Sequence, residues 1–191
     1  MLFLNYKMQK EGYVVRDQTL PHFITATVVD WINVLTRKSY RDCVIESIKY
    51  CIENKSMVLY GYVIMSNHIH LVVQSDAGEL SNLLRDFKKF TAKNILEKIQ
   101  TEPESRREWM LEYFQKSCEH LKKNQNYNVW QGRYHAEIVQ TNCFIKQKVN
   151  YIHNNPVKDK IVIWHEDYYF SLASNYAGVD YEIEVVLVDL F

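Results

Sequence analysis

A pair of adjacent apolar segments is the feature that most limits how this chain can fold. Residues Met57 to Met65 are almost continuously apolar, the polar pair Ser66-Asn67 follows, and His68 to Gln74 completes the motif. Two such segments around a two-residue polar connection predict a β-hairpin. The fold must therefore contain at least one antiparallel strand pair.

Two segments on either side of this hairpin have the apolar spacing of amphipathic helices. Apolar side chains recur every three or four residues from Tyr40 to Asn54 and again from Leu80 to Ile99. A β-branched run from Phe23 to Trp31 comes first, and its alternating threonines indicate one packed face and one polar face. The first half of the chain thus predicts the order strand, helix, strand, strand, helix.

The second half supplies one more strand and one more long helix. Residues Ala136 to Gln140 predict a strand, and Asn142 to Asn154 predict a helix. We expect Pro156 to stop that helix, because proline disfavours helical geometry in the residue before it. Residues 101–128 are rich in charge, Gln and Asn, and we interpret them as an insertion with a short helix near Trp109 to Phe114.

This order of elements predicts an α+β fold of the ferredoxin-like kind, a split β-α-β antiparallel sheet with packed helices. The helix that ends near Pro156 is a C-terminal addition to it. A length of 191 residues fits one domain, with a core at about residues 20–178. The acidic segment 179–191 is expected to be a tail or an edge strand, because Ile183 to Val188 alternates in polarity.

Composition excludes several classes of protein. No apolar stretch approaches the ~20 residues that span a bilayer, so no membrane segment is expected. The four cysteines form no CxxC pair, which indicates neither a disulfide framework nor a structural zinc site. We therefore expect a cytoplasmic protein. The 23 basic and 23 acidic side chains balance, so any surface that binds nucleic acid must be local.

The first candidate for chemistry is the sequence His68-Ile69-His70. Side chains two residues apart on a strand point to the same face, about 6 to 7 Å from each other. Both imidazoles could then bind one cation while Ile69 faces the packed side. Two histidines on a half-exposed strand are more often surface or hydrogen-bonded residues, so the pattern alone leaves both interpretations open.

The second candidate lies at the end of the last predicted helix. Tyr151 and Asn155 are four residues apart and are therefore neighbours on one helix face. The stripe of Ile145, Val149 and Ile152 is the expected packing face, which leaves the phenol of Tyr151 available for chemistry. The alternatives are a boundary tyrosine with its hydroxyl in water and an asparagine that merely ends a helix.

Both candidates lie in segments that resemble one protein family. Residues 62–71, Tyr-Val-Ile-Met-Ser-Asn-His-Ile-His-Leu, are similar to the HUH motif of single-tyrosine transposases. Residues 151–157, Tyr-Ile-His-Asn-Asn-Pro-Val, resemble the tyrosine-helix motif of the REP-associated tyrosine transposases, a branch of the IS200-like transposases. Further similar segments are Pro21 to Thr25, Asp86 to Thr91, Trp130-Gln131 and Ser171 to Gly178. The resemblance thus covers roughly residues 20–178.

The resemblance implies a role for each candidate residue. His68 and His70 would bind a divalent metal, Mg²⁺ or Mn²⁺, Asn155 would be the third ligand, and Tyr151 would be the nucleophile. The implied activity is cleavage and rejoining of single-stranded DNA with a stem-loop, as in repetitive palindromic elements, through a 5′-phosphotyrosine. Ligands without a carboxylate are expected to hold the metal weakly. The resemblance leaves open whether the chain acts as a homodimer.

Basic side chains in two segments are candidate phosphate contacts. Those on the helix that starts at Leu80 could equally form a solvated helix face. From Val129 to Ile163, five basic side chains oppose two acidic ones, which gives a local net charge of +3 around Tyr151. The candidates for DNA contacts are Arg85, Lys88, Lys89, Lys93, Arg133, Lys148 and Lys158.

Two other functions are compatible with the sequence. A non-catalytic module derived from a transposase could bind DNA or RNA hairpins without cutting them, although the presence of His68, His70, Tyr151 and Asn155 argues against this. An unrelated metal hydrolase would need acidic ligands near the two histidines, and the motif segments offer none.

Overall fold

A four-stranded antiparallel sheet organises the chain in the computed structural model, which describes residues 15, 17–118, 126–132, 134–178, 183 and 185–187. The strands are β1 (His22–Thr27), β2 (Met57–Ile64), β3 (His68–Ser75) and β4 (His135–Ile138), in the spatial order β2-β3-β1-β4. Strand β1 lies between β3 and β4 and is antiparallel to both. The predicted α+β, ferredoxin-like fold is confirmed.

The predicted hairpin forms around Ser66 and Asn67. Ile64 on β2 pairs with Ile69 on β3, and the Met65 N–H donates to the His68 carbonyl at 2.9 Å. A bulge between Leu59 and Gly61 interrupts the β2–β3 ladder. The short polar connection therefore sets the register between β2, at the edge of the sheet, and β3 beside it.

Helices cover the sheet from both sides. The helices are α1 (Lys38–Asn54), α2 (Leu80–Thr101), α3 (Arg107–Lys116), α4 (Asn142–Lys158) and α5 (Ala173–Tyr176). The helices α1 and α2 pack against each other and on β2 and β3, and α4 packs on β2 and β3 from the opposite side. A Cβ on Gly61 would lie 3.3 Å from the Val149 side chain, so glycine permits this close approach of α4.

Alternation along the strands separates the two faces of the sheet. Facing α1 and α2 are apolar side chains that are at most 2% exposed: Ile24, Ala26, Ile69, Leu71 and Val73. The residues between them on β1 and β3 include Thr25, Thr27, His68 and His70 and share the face on which α4 packs. The α1/α2 face therefore holds the core, and the α4 face carries most of the polar side chains of these strands.

The first strand is shorter than its β-branched sequence predicts. It ends at Thr27, Val28 forms an isolated bridge with Trp130, and residues Val29–Trp31 form a 3-10 turn. Hydrogen bonds from distant segments hold this turn, including one from the Val29 N–H to the Val129 carbonyl at 2.9 Å. These long-range contacts override the local preference for a strand.

The last long helix does not stop before Pro156 but continues to Lys158, which corrects the prediction. Proline removes one backbone donor, and at this position only the final turn is affected. The Asp159 N–H donates to the Asn155 carbonyl at 3.1 Å, and the Ile161 N–H donates to the Pro156 carbonyl at 2.9 Å. Asn155 therefore lies within the helix and not at its end.

Other boundaries move by a few residues. Helix α1 starts two residues earlier than predicted, α2 and α3 are longer, and β4 covers His135–Ile138 and not Ala136–Gln140. Within the predicted strand Ile183 to Val188, the described residues 183 and 185–187 are not in a strand, although the Val186 N–H donates to the Leu59 carbonyl. No helix in the described part of the chain is both long and apolar enough to cross a membrane.

Candidate active site

Two histidines and two threonines form the polar centre of the sheet. Thr25 is paired with His70, and Thr27 with His68, across strands β1 and β3. The imidazole centroids of His68 and His70 are 4.7 Å apart. The sequence prediction that these two rings share one face of a strand is confirmed.

Hydrogen bonds determine which nitrogen of each ring is available as a metal ligand. His68 Nδ1 donates to Asn67 Oδ1 at 2.8 Å, and the Asn67 amide is oriented by its Nδ2, which donates to the Trp31 carbonyl. His70 Nδ1 and Thr25 Oγ1 are hydrogen-bonded at 2.9 Å. With Nδ1 engaged in both rings, Nε2 is the atom left for a metal.

Both imidazoles are neutral at physiological pH. Burial, with smaller contributions from charge repulsion by His68, His135 and Lys148, lowers the pKa of His70 to about 3. Burial also lowers the pKa of His68, while the Asp159 carboxylate opposes that change. A neutral imidazole keeps the lone pair that a metal ligand requires.

Helix α4 places Tyr151 beside this pair. The Tyr151 ring lies 5.5 Å from the His70 ring and 5.8 Å from the Phe23 ring, between centroids. Its side chain is 41% exposed, whereas Ile145, Val149 and Ile152 are buried. The predicted separation of Tyr151 from the packing stripe is confirmed, and its phenol reaches solvent at the histidine pair.

Asn155 lies one helical turn beyond Tyr151. Tyr151 contacts His70, and Asp159, a further turn along, lies within electrostatic reach of His68. The four-residue spacing places Asn155 on the same side of α4 as these two residues. Asn155 is buried, and its Nδ2 has no hydrogen-bond partner among the described residues. A buried amide without a hydrogen-bond partner is a candidate ligand-binding group. Rotation of the amide would exchange the positions of Nδ2 and Oδ1 and so present the oxygen to a metal.

The donor set fits a divalent cation. Two neutral imidazoles and one amide oxygen can bind Mg²⁺ or Mn²⁺ weakly and leave coordination positions for phosphate oxygens. Within the described residues, no three His, Cys, Asp or Glu side chains are grouped as metal ligands. A third protein ligand would therefore have to be of another type, which the Asn155 amide is.

A cleft of about 680 Å³ opens beside these residues. It contains His70 and Tyr151 and is also lined by His135 and Glu137 of β4. The sequence alone predicted no role for either β4 residue. Pairing of β4 with β1 was the missing information, since it places His135 opposite Thr25 and Glu137 opposite Phe23.

Carboxylates lie closer to the site than the motif segments indicated. Glu137 lines the cleft and accepts a hydrogen bond from Lys148 at 2.6 Å, so its charge is balanced there. Asp159 acts on His68 from the end of α4. Neither carboxylate belongs to the motif segments, and the three predicted ligands include none.

The structure separates the predicted DNA-binding residues into two groups. Lys148 lines the cleft, and Lys158 Nζ lies 4.9 Å from the Tyr151 ring centroid. Lys88 is turned inward, where it donates to the Gln131 carbonyl at 2.6 Å and burial lowers its pKa to about 8. Among the predicted DNA-binding residues that the structure describes, Lys148 and Lys158 are therefore the ones that place a cation beside Tyr151.

The other predicted contacts are elsewhere. Lys89 and Lys93 line a second cleft between α1 and α2, together with the stacked rings of Tyr50 and Phe90. Arg85 is engaged by Asp86 and Asn82 on α2. Arg133 lies outside the described residues. The structure thus does not bring the basic face of α2 to the histidine pair.

Known proteins resemble this chain in sequence and in fold. The family model described as "Transposase IS200 like" matches residues 19–127, more than half of the chain. A solved structure of a REP-associated tyrosine transposase bound to a REP hairpin has a TM-score of 0.58 and 16% identity, and the match covers 91% of this chain and 92% of that one. At this identity the likeness shows the fold alone. No curated protein sequence matches the chain significantly.

Proposed function

The chain belongs to the IS200-like transposase family, and on that premise we propose that it cleaves and rejoins single-stranded DNA through a covalent bond to Tyr151. The substrate would be DNA that carries a stem-loop, the kind of ligand bound by the REP-associated relative. One observation carries the proposal: the exposed phenol of Tyr151 lies 5.5 Å, ring to ring, from one of two paired neutral imidazoles. A tyrosine that served only for packing would not require an exposed phenol beside these rings.

His68, His70 and Asn155 would hold the divalent cation. When bound, the cation would withdraw charge from a nonbridging phosphate oxygen and so lower the barrier to nucleophilic attack. The hydrogen bonds that the two rings make with Asn67 and Thr25 fix their orientation. Such supporting hydrogen bonds keep ligands in place when the site is empty and when it is filled.

Tyr151 would attack the phosphorus of one phosphodiester. A bond forms between the phenolic oxygen and phosphorus, the bond from phosphorus to the 3′ oxygen breaks, and the DNA is left with a free 3′ hydroxyl. The phenol loses its proton in this step and the departing 3′ oxygen gains one. Because the phosphotyrosine keeps the energy of the broken ester, a second 3′ hydroxyl can reverse the step and rejoin the strand.

Two lysines flank the nucleophile on α4. Lys148 lies three residues before Tyr151 with its Nζ 4.7 Å from the Phe23 ring centroid, and Glu137 holds it in place. Lys158, seven residues after Tyr151, lies over the Tyr151 ring. These cations would attract the DNA backbone to the phenol and stabilise charge that develops on the phosphate.

The test separates binding from chemistry. A panel of DNA stem-loops with unpaired flanks, labelled at each end in turn, is incubated with Mg²⁺ or Mn²⁺ and analysed on denaturing gels. Tyr151→Phe should abolish cleavage and covalent attachment, yet change hairpin affinity by less than about threefold, because one hydroxyl is removed and the ring still packs.

Tyr50→Phe is the matched control, since Tyr50 is 46% exposed but lies on the opposite side of the sheet. It should cleave as the wild type does. Unchanged cleavage by Tyr151→Phe would contradict the proposal. Tight hairpin binding by the wild type without cleavage of any stem-loop would indicate a non-catalytic binding module instead.

A further inference from the structure

The turn that follows β1 has an unusual backbone. Asp30 has a φ of 48° and Trp31 a φ of 60°, so two consecutive residues with side chains adopt the left-handed region. This region is disfavoured for residues that carry a Cβ, and a bulky residue such as tryptophan is rarely found there. Such strain persists only where surrounding contacts hold it, and it is concentrated at functional sites.

Three separate segments hold this turn. The Tyr113 hydroxyl on α3 donates to Asp30 Oδ2 at 2.7 Å, and Asn67 Nδ2 in the hairpin connection donates to the Trp31 carbonyl at 3.2 Å. The Val29 N–H donates to the Val129 carbonyl. The backbone of the turn is therefore fixed to the hairpin that carries His68.

The strained turn does not bury its large side chain. Trp31 is 56% exposed, and its indole lines the same cleft as His70 and Tyr151. The indole centroid is 5.7 Å from that of His68, with the two rings at 67° to each other. A tryptophan that served the core would be covered, so the turn stabilises an exposed aromatic surface beside the proposed metal ligands.

We propose that Trp31 is a stacking platform for the unpaired base next to the scissile phosphate. The inference rests on the proposed function, since the histidine pair would locate that phosphate. An uncharged indole attracts neither phosphate nor metal strongly, but its flat surface suits the face of any base. Because Trp31 lies close to His68, we expect the stacked base to belong to the nucleotide next to the scissile phosphate and not to one farther along the strand.

Stacking of this kind tolerates different bases because every base has a π-face. Removal of one stacked aromatic weakens single-strand binding by roughly 5- to 150-fold. The indole should therefore strengthen binding of the unpaired flank without contributing much sequence specificity. Recognition of the stem-loop itself would depend on other surfaces.

The experiment pairs protein variants with abasic DNA. Dissociation constants are measured in excess EDTA for a DNA stem-loop with unpaired flanks, and for copies in which each unpaired base in turn is removed. Trp31→Ala should bind the intact DNA roughly 5- to 150-fold more weakly. For one abasic position only, Trp31→Ala and the wild type should bind with the same affinity. Trp31→Phe should restore most of the affinity for the intact DNA. The position should adjoin the phosphate that the wild type cleaves with Mg²⁺ or Mn²⁺.

The control is Trp164→Ala, which removes an indole that is 65% exposed but is not part of the cleft wall. It should bind every DNA as the wild type does. The proposal would be overturned if Trp31→Ala bound the intact DNA as tightly as the wild type does. It would also be overturned if Trp31→Ala weakened binding equally for every abasic DNA, because the indole would then act through the protein and not through one base.

Failure of the proposed chemistry would give a different result. Because affinity is measured without metal, a base-specific penalty with no cleavage by the wild type would refute Tyr151 chemistry and retain the stacking site. Cleavage at a phosphate more than one nucleotide from the sensitive base would refute the placement of Trp31 and retain the chemistry.

Discussion

The two faces of the sheet use alternate residues of the same strands for different purposes. On the side of α1 and α2, Ile24, Ile69 and Leu71 are almost fully buried. On the side of α4, His68 and His70 lie at the polar centre of the sheet, and α4 covers that side only in part and leaves a cleft. The first face is continuous core, and the second combines core with an open polar site.

The packed face determines the strand register, and the register determines which side chains lie on the open face. A slip of one residue in strand pairing would exchange Ile69 with its histidine neighbours, and the buried face would then contain charged or polar rings. Apolar packing against α1 and α2 therefore fixes the register that brings His68 and His70 together. Substitutions one residue apart should thus have opposite effects on chemistry and stability.

The largest expected effect is on the open face. His70→Ala, or excess EDTA with the wild type, should lower the cleavage rate by on the order of 10³-fold or more, because charge neutralisation by a metal contributes several kcal/mol. Circular dichroism should show that the variant stays folded. Cleavage that persists in excess EDTA would refute a metal site at these histidines.

Ile69, one residue before His70, should show the opposite pattern, with a loss of stability and little loss of cleavage. Ile69→Ala should lower the free energy of unfolding by about 2–5 kcal/mol, as measured by urea denaturation, because it leaves a cavity against α1 and α2. At a temperature where the variant is folded, its cleavage rate should stay within a few-fold of the wild type. Normal stability with lost cleavage would remove the distinction between the two faces.

A buried histidine away from the cleft tests whether burial alone implies chemistry. Burial lowers the pKa of His153 to about 4, with a smaller contribution from His165. Its pKa in the folded protein is below the ordinary value of about 6.5, so the unfolded chain binds the proton first. Stability is therefore complete above pH 6.5 and falls as the pH drops towards 4, by about 1.4 kcal/mol per pH unit for one proton.

His153→Gln should remove the contribution of one proton from this slope and leave cleavage at neutral pH within a few-fold of the wild type. Urea denaturation at a series of pH values measures the slope. His70 should maintain part of the acid sensitivity in the variant, since its pKa is also lowered, to about 3. An unchanged slope would mean that His153 is not buried as described.

The smallest effect concerns the lysines. Lys158→Gln should reduce the slope of log affinity against log salt concentration by about 0.7, the value for one contact between a cation and single-stranded DNA. Lys93→Gln, on the α1/α2 side, should leave the slope unchanged. The reverse result would place the DNA on the side of the sheet away from Tyr151.

Local periodicity predicted the hairpin, the long helices and the common face of His68 and His70. These features depend on neighbouring residues alone. The continuation of α4 through Pro156 was missed because proline disfavours but does not forbid a final helical turn. Both Asn155 and Pro156 are buried against the rest of the protein, and no local pattern contains this information.

The walls of the cleft depend on contacts between distant segments. His135 and Glu137 enter the site only because β4 pairs with β1, more than a hundred residues earlier. Trp31 enters it because hydrogen bonds from the hairpin connection and from α3 hold a left-handed turn that its sequence disfavours. A single sequence gives strand alternation but not strand partners.

The central claim is that Tyr151 forms the covalent bond to DNA, and mapping of the adduct tests it most directly. Wild-type protein is incubated with a stem-loop DNA and Mg²⁺ or Mn²⁺, digested with protease and nuclease, and analysed by mass spectrometry. We predict one modified peptide that contains Tyr151, linked through a 5′ phosphate. An adduct on another tyrosine, above all on Tyr134 in the same cleft, would contradict the claim.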